Sequence, residues 1–183
     1  MKKPQKVITI IHTGTGNDGT TNLGIGRISK SSLIIEYVGM LDSCQSLTYF
    51  DALHFSGYEH LIIKFQNIFF LLGGLAHNPQ KIEYQNELST YYKELIKDLP
   101  NLLNDPTLRP LSGFIRTNRI NAPLMQLRSE IRKTELIAVK IAIAENQAER
   151  NSTIEMLNLL SDVVFALAWK ISNKFNVLST WPS

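Results

Sequence analysis

The sequence predicts an all-α protein, a bundle of five helices behind an extended glycine-rich N-terminal loop. Five segments of about twenty residues carry apolar side chains at helical spacing. The β-branched run 7–11 reads as a strand, but it is too short to found a sheet on its own. The 183 residues, 44% of them hydrophobic, suffice for one domain with a full core. We therefore expect a single domain over residues 1–183, with the loop in 1–30 and the helices in 31–174.

The first two helices are predicted from their caps and apolar residues. Serines at 29, 31 and 32 offer N-caps for a helix from about Ser32 to His54. Gly57 breaks the chain, and a second helix follows from about Tyr58 to Ala76. Its segment 68–75 is apolar almost all round, which places this helix either in the centre of the bundle or in a subunit interface.

The remaining three helices surround a long connection. A third helix is predicted from about Lys81 to Leu99, with a charged outer face. Pro100 to Asn121 then reads as an irregular segment, and connections of that length are often functional. Pro123 suits the first turn of a fourth helix over about 122–147. The capping box 152–155 starts a fifth, to about Lys174.

Composition excludes several classes of protein. The formal net charge of +3 is too small and too dispersed to indicate a nucleic-acid-binding protein. The apolar stretches are interrupted before the ~20 residues that a membrane span needs, and no signal peptide is visible. The single cysteine, Cys44, excludes an internal disulfide and suggests a reducing compartment, so we expect a cytoplasmic protein. The four histidines lack metal-ligand spacing, so we expect no metal site.

The loop His12 to Lys30 holds five of the chain's ten glycines, together with threonine, asparagine and aspartate. Glycines let backbone N–H groups converge, and hydroxyls add further donors, which favours a polyphosphate ligand. The alternative is an ordinary solvated loop. The Walker pattern is nearly met from Gly14 to Thr21, but Thr20 stands in place of its lysine and no helix follows at once. We therefore reject a P-loop NTPase.

The fourth helix carries Arg128, Arg132 and Glu135 at positions i, i+4 and i+7, which places them on one stripe. Two guanidinium groups there could hold phosphate oxygens, with Glu135 orienting one of them. The alternative is a solvated charged face.

On the fifth helix, Asn158, Ser161 and Asp162 interrupt an apolar run and need hydrogen-bond partners. An internal network between helices would satisfy them. Asp42 lies beside an apolar face of the first helix, and Arg128 is a candidate partner for its carboxylate.

These segments, in this order, resemble the PduO-type ATP:cob(I)alamin adenosyltransferases over nearly the whole chain, from about His12 to Lys174. Residues 13–21, TGTGNDGTT, look like the family's TKTGDDGTT nucleotide loop, and 26–30, GRISK, look like its GRVSK. Leu41-Asp42 falls where the family has VDE, and 65–73 resembles IQNDLFDLG. The stripe from Arg128 to Glu135 matches the spacing of RTxxRRAE, and 157–162 matches that of YLNRLSD.

The resemblance implies a ferritin-like five-helix bundle, cobalamin adenosyltransferase-like, that assembles as a homotrimer with ATP sites between subunits. One subunit gives the loop and its neighbour gives the arginine helix. Cob(I)alamin attacks the 5′ carbon of ATP, triphosphate leaves and adenosylcobalamin forms, with Mg²⁺ sharing the phosphate charge. The implied catalytic residues are Asp42, Arg128 and Arg132, with Asp42 and Arg128 paired. The implied ATP-binding residues are Thr13, Gly14, Thr15, Gly16, Asp18, Gly19, Thr20, Thr21, Arg27, Lys30, Arg132, Glu135 and Asn158.

The chain also departs from the family pattern. Gly14 replaces the loop lysine, Ser43 replaces the glutamate of VDE, and the FILPGG segment is absent. Phe114 stands as its remnant and as the corrinoid contact, but no Pro-Gly-Gly turn follows. We therefore expect adenosyl transfer to be weak beside that of intact family members. Two alternatives stay open: an ATP-binding homologue with lost or altered corrinoid activity, and a purely structural helical oligomer.

Overall fold

The computed structural model describes residues 14–24, 26–54, 57–104, 117–145 and 151–174. Within them the chain forms five helices and one small sheet. The strands are β1 (Thr20–Asn22) and β2 (Arg27–Ser29). The helices are α1 (Leu33–His54), α2 (Glu59–His77), α3 (Ile82–Leu103), α4 (Ala122–Glu145) and α5 (Asn151–Lys174). The all-α prediction is confirmed, and each helix begins within one residue of its expected start.

The helices pack as a ring in which each one contacts two neighbours. Going round, α1 packs on α2, α2 on α3, α3 on α5, α5 on α4, and α4 returns to α1. The core runs through all five helices, and α5 is the most deeply placed because every residue from Val163 to Trp169 is buried. Helix α2 is mostly buried between Ile68 and Ala76, but the Phe70 side chain is 63% exposed. The inner side of α2 therefore lies in the core, as its apolar sequence predicts, whereas its outer side is left uncovered.

Helix α3 ends later than the sequence predicts. We expected Pro100 to open the irregular connection, but α3 continues through it to Leu103. Proline lacks the N–H that would bond to the Ile96 carbonyl. The extra turn is held instead by tertiary contacts, because Leu102 is buried and Lys170 Nζ donates to the Asn101 carbonyl oxygen at 2.7 Å. Burial and this side-chain bond thus outweigh a local helix-breaking signal. The predicted strand 7–11 and residues 105–116 of the connection lie outside the described residues.

The strands β1 and β2 were not predicted. They pair antiparallel, with Thr20 opposite Ser29 and Asn22 opposite Arg27. The turn closes through a bond from Leu23 N to Gly26 O at 3.2 Å, and Asn22 Oδ1 accepts the Gly24 N–H at 2.9 Å. Such side-chain-to-backbone bonds are typical of turns begun by asparagine. With only three residues in each strand, the alternation of apolar and polar side chains is too short to be recognised in the sequence.

The glycine at position 74, near the end of α2, lets the start of α3 pack closely against α2. A Cβ atom there would lie 2.2 Å from Tyr84 Cε2, so the ring packs directly on the α2 backbone. Gly74→Ala is expected to destabilise the fold by about 1–3 kcal/mol through overpacking, measured by denaturant unfolding. Gly73→Ala is the matched control, because no atom lies within 4 Å of its added Cβ. Removing a helix glycine there should stabilise by up to about 1 kcal/mol. Equal destabilisation by both variants would contradict the packing argument.

Cys44 is a core residue between α1 and α4. Its thiol is fully buried, with Sγ 3.5 Å from Thr134 Oγ1, and burial raises its pKa to about 11. The folded protein should therefore resist thiol reagents at pH 8 until it unfolds. The unfolded thiol, with its ordinary pKa of 9.0, loses its proton first as pH rises. Between these two pKa values the free energy of unfolding should fall, by up to about 3 kcal/mol. In Cys44→Ala this contribution should vanish, and rapid labelling of folded protein would overturn the assignment.

Candidate functional site

The glycine loop is a folded unit built from consecutive turns. Asn17 N donates to Gly14 O at 3.1 Å and Gly19 N to Gly16 O at 3.3 Å. Gly14 and Gly19 have φ of 70° and 78°, the left-handed region that only glycine adopts at little cost. Lys30 N then donates to Gly19 O at 2.8 Å and extends the β1–β2 pairing. The glycines thus create backbone turns, and the loop is more than a solvated linker.

Both cations of the loop are directed toward the loop itself. Arg27 Nη2 donates to both carboxylate oxygens of Asp18, at 3.0 and 3.2 Å, and to the Thr15 carbonyl and the Thr20 hydroxyl. Lys30 Nζ donates to the Gly16 carbonyl at 2.7 Å. A Cβ on Gly16 would lie 2.9 Å from that Nζ and 3.2 Å from the Thr20 carbonyl. A side chain at position 16 would therefore displace the lysine ammonium from the loop backbone.

Helices α4 and α5 run antiparallel in a register fixed by two contacts. Near the start of α4, Asn121 Nδ2 donates to Ser172 Oγ at 3.0 Å. Seven residues along α4 and seven back along α5, the Arg128 guanidinium lies 4.9 Å from the centre of the Phe165 ring. Such stacking is attractive, and more so where water is excluded. The arginine stripe of α4 therefore faces α5 along its length.

Four charged residues share this face, and we refer to Arg128, Arg132, Glu135 and Asp162 as the α4–α5 charge cluster. Burial lowers the pKa of Arg128, as does the neighbouring Arg132 charge, while Asp162 opposes the change. Burial raises the pKa of Glu135, Arg132 opposes that change, and Asp162 adds to it. Arg132 is exposed, and within the described residues none of the salt bridges joins two members of the cluster. The cluster therefore presents cations that no carboxylate holds in close contact.

Sequence reasoning missed Phe165 as part of this site. The signal was present, because Asn158, Asp162 and Phe165 have the same i, i+4, i+7 spacing on α5 as the arginine stripe on α4. Asn158 and Asp162 are exposed, so their side chains do not need an internal network. Ser161 is buried, and its hydroxyl has no hydrogen-bond partner among the described residues. The expected interhelical network through Ser161 is therefore not formed.

The expected pairing of Asp42 with Arg128 does not occur within the described part of one chain. Asp42 is exposed and lines a cleft of about 330 Å³ between α1 and α2, which includes Phe69, Phe70 and His77. Arg128 is held against Phe165 of α5, and its Nε is buried without a hydrogen-bond partner there. The two side chains thus belong to different surfaces of the bundle, Asp42 to the α1–α2 cleft and Arg128 to the α4–α5 face.

Within the described residues, the loop strands and the charge cluster make no extensive contact with each other. The loop strands make their contacts chiefly with each other, and no extensive packing joins them to α4 or α5. Thr13 and Phe114, expected at the nucleotide and the corrinoid, lie outside the described residues. Across the described ranges, no cluster of three or more histidine, cysteine, aspartate or glutamate side chains could hold a metal ion. None of the described helices is long and apolar enough to cross a membrane.

Comparison with solved structures shows which proteins share this fold. A variant PduO-type ATP:corrinoid adenosyltransferase from Lactobacillus reuteri, complexed with cobalamin and ATP, superposes with a TM-score of 0.70 at 18% identity. That match covers 92% of this chain and 96% of the other. A further variant of the Lactobacillus reuteri enzyme, complexed with ATP, matches with a TM-score of 0.69 at 16% identity, covering 91% and 96%. No curated protein sequence matches the chain.

The family model for cobalamin adenosyltransferase matches residues 11–171, which is most of the chain. The match spans the glycine loop, the arginine stripe of α4 and the polar positions of α5. It confirms the resemblance inferred from the motifs and the helical fold expected with it. The chain belongs to the cobalamin adenosyltransferase family, and it is a transferase.

Proposed function

We propose that this chain transfers the 5′-deoxyadenosyl group of ATP to cob(I)alamin and releases triphosphate. Cobalt(I) supplies the electron pair for the new cobalt–carbon bond, and the bond from C5′ to oxygen breaks with its electrons on triphosphate. The observation that carries the proposal is the α4–α5 charge cluster, with an exposed Arg132 beside a stacked Arg128. Cations placed where negative charge grows lower the barrier of such a step.

The residues divide into three roles in this proposal. The backbone turns of the loop, residues 13–21, surround the triphosphate together with Lys30. Arg132 neutralises charge on the leaving group, while Glu135 and Asn158 orient the arginine and the nucleotide. The carboxylates of Glu135 and Asp162 could share a Mg²⁺ ion with phosphate oxygens, since Mg²⁺ usually takes one or two carboxylates and keeps waters.

The site is proposed to form between the subunits of a homotrimer. The loop strands and the charge cluster share no extensive packing in the described part of the chain, which supports a site completed by a neighbour. Both α2 and α4 have uncovered apolar side chains, namely Ile63, Phe70, Leu136 and Ile143, each more than half exposed. When two different faces of identical subunits contact each other, the subunits form a closed ring if the rotation between neighbours allows it. Asp42 would then pair with Arg128 of the neighbour, whose Nε has no hydrogen-bond partner among the described residues of its own chain.

The corrinoid side of the site is proposed to include Phe114, in a chain that acts as one domain in the cytoplasm. Gly14 removes one cation from the loop, and the Pro-Gly-Gly turn is missing. A displacement of about 1 Å in reactive geometry can cost ~10²-fold in rate. We therefore expect turnover below that of intact family members.

The test follows adenosylcobalamin formation by absorbance under strict reduction, beside a thermal titration with ATP and Mg²⁺. ATP at a hundredfold excess over its dissociation constant should stabilise the fold by about 2.7 kcal/mol. Slow product formation with bound ATP would support the proposal. Bound ATP without product would favour the ATP-binding homologue, and no ATP binding would overturn both.

A further inference from the structure

We propose that Arg27 is a positioning residue that holds the loop ready for ATP through Asp18 and Thr20, instead of binding the phosphates itself. The inference rests on the proposed function, because it concerns how that site receives its nucleotide. It also gives different roles to Arg27 and Lys30, two cations that the sequence places together at the end of the loop.

The contacts of Arg27 join three points of the loop. Its Nη2 donates to the Thr15 carbonyl, to the Asp18 carboxylate and to the Thr20 hydroxyl. The Thr20 hydroxyl in turn donates to Asp18 Oδ1 at 2.7 Å, and the Thr20 N–H donates to the same oxygen at 3.0 Å. We call this set of bonds the Arg27 clasp. It fastens the first turn of the loop to both strands, because Thr20 begins β1 and Arg27 begins β2.

The hydrogen-bond directions decide which groups remain for a ligand. The single hydroxyl hydrogen of Thr20 is used on Asp18, so this side chain cannot also donate to a phosphate while the clasp is closed. These bonds hold the pKa of Asp18 below its ordinary value, chiefly through Thr20 and also through Arg27. The carboxylate is therefore charged at neutral pH and repels an approaching triphosphate. Its charge cancels that of Arg27, so the clasp has almost no net attraction for an anion.

Lys30 differs in this respect. Its Nζ donates to a neutral acceptor, the Gly16 carbonyl, and within the described residues it takes part in none of the salt bridges. Its positive charge thus stays available to phosphate, while its bond to the Gly16 carbonyl also shapes the loop. Arg27 and Asp18 are each about half exposed, and such an ion pair alone contributes little to stability. The clasp acts by fixing the shape of a loop that must wrap a ligand.

The test compares Arg27→Gln, Asp18→Asn and Lys30→Ala for competitive binding of ATP, ADP and adenosine. If Arg27 positions the loop, Arg27→Gln and Asp18→Asn should both weaken ATP by a similar factor, about tenfold, because each opens the same clasp. Their double variant should lose little more than either single one, because both break the same clasp. In steady-state assays the KM for ATP should rise with kcat nearly unchanged. Lys30→Ala should instead weaken ATP far more than adenosine.

A different pattern would overturn the inference. If Arg27→Gln weakened ATP while Asp18→Asn tightened it, Arg27 would be a phosphate ligand opposed by its carboxylate. Hydrogen exchange of residues 14–30, measured without nucleotide, tests the clasp independently of the proposed function. Faster exchange in Arg27→Gln and Asp18→Asn supports the clasp even if the wild-type chain binds no ATP. Unchanged exchange in both variants rejects it even if ATP binds and turns over.

Discussion

Arg132→Ala is expected to lower the rate of adenosyl transfer by about 10²- to 10³-fold, the usual cost of removing one group that stabilises transition-state charge. Arg132 is exposed, lies beside Arg128 and Glu135, and forms no salt bridge among the described residues. Its charge is therefore available to the departing triphosphate. The rate would be measured anaerobically with saturating ATP and reduced cobalamin, and the ATP-dependent rise in melting temperature should shrink in parallel.

Lys133→Ala is the matched control for this prediction. Lys133 is the next residue on the same helix, is equally cationic, and bonds to Glu130 Oε1 at 2.8 Å one turn earlier. A surface pair of this kind contributes about 0.3–0.5 kcal/mol, so its loss should leave transfer within about twofold of wild type. Both variants lower the net charge equally. Equal losses of rate would show a general charge effect and remove the role assigned to Arg132.

Two inactive variants are expected to restore activity to each other when they assemble together. Gly16→Val places bulk where the Lys30 ammonium contacts the loop, and Arg132→Ala disables the charge cluster. If every site takes its loop from one subunit and its α4 from the next, each mixed trimer should contain one functional site, about a third of the wild-type sites. The two chains would be co-expressed with different tags, purified through both, and assayed for adenosylcobalamin.

The arrangement of subunits decides the outcome of that experiment. Light scattering must first give the mass of a trimer for each variant and for the mixture. Mixed trimers that stay inactive would place the loop and the charge cluster of each site within one chain. A monomer at micromolar concentration would reject the shared site outright, because the loop strands and the cluster share no extensive packing in the described part of a single chain.

The helices were predictable because their signals are local and repeated. Caps, breaks and apolar spacing gave every helix start to within one residue. The end of α3 was missed because a proline is a local signal, whereas Leu102 burial and the bond from Lys170 are tertiary. The hairpin was missed because its pairing depends on glycine turns and side-chain bonds that leave no periodic pattern.

The candidate site was predictable in composition but not in arrangement. Helical spacing placed Arg128, Arg132 and Glu135 on one stripe, and their linked pKa values agree with that. The expected pairing of Asp42 with Arg128 is not formed within the described part of one chain and stays a prediction for the assembly, because a carboxylate and a cation on different helices give no hint of which surfaces meet. Phe165 went unnoticed since aromatic residues at helical spacing usually signal a core. The inward direction of Arg27 also depends on turns that the sequence alone does not specify.

The antiparallel register of α4 and α5 limits how this chain can change in length during evolution. Arg128 lies against Phe165, and Asn121 lies against Ser172. Both contacts can form only if the number of residues between them is the same on the two helices. One residue inserted between Asn121 and Arg128 would turn Arg128 by about 100° relative to Asn121 and move it about 1.5 Å along the axis. Residues gained or lost between α4 and α5 alter neither count. Natural relatives that keep this face should therefore vary in length between these helices and hardly ever inside them.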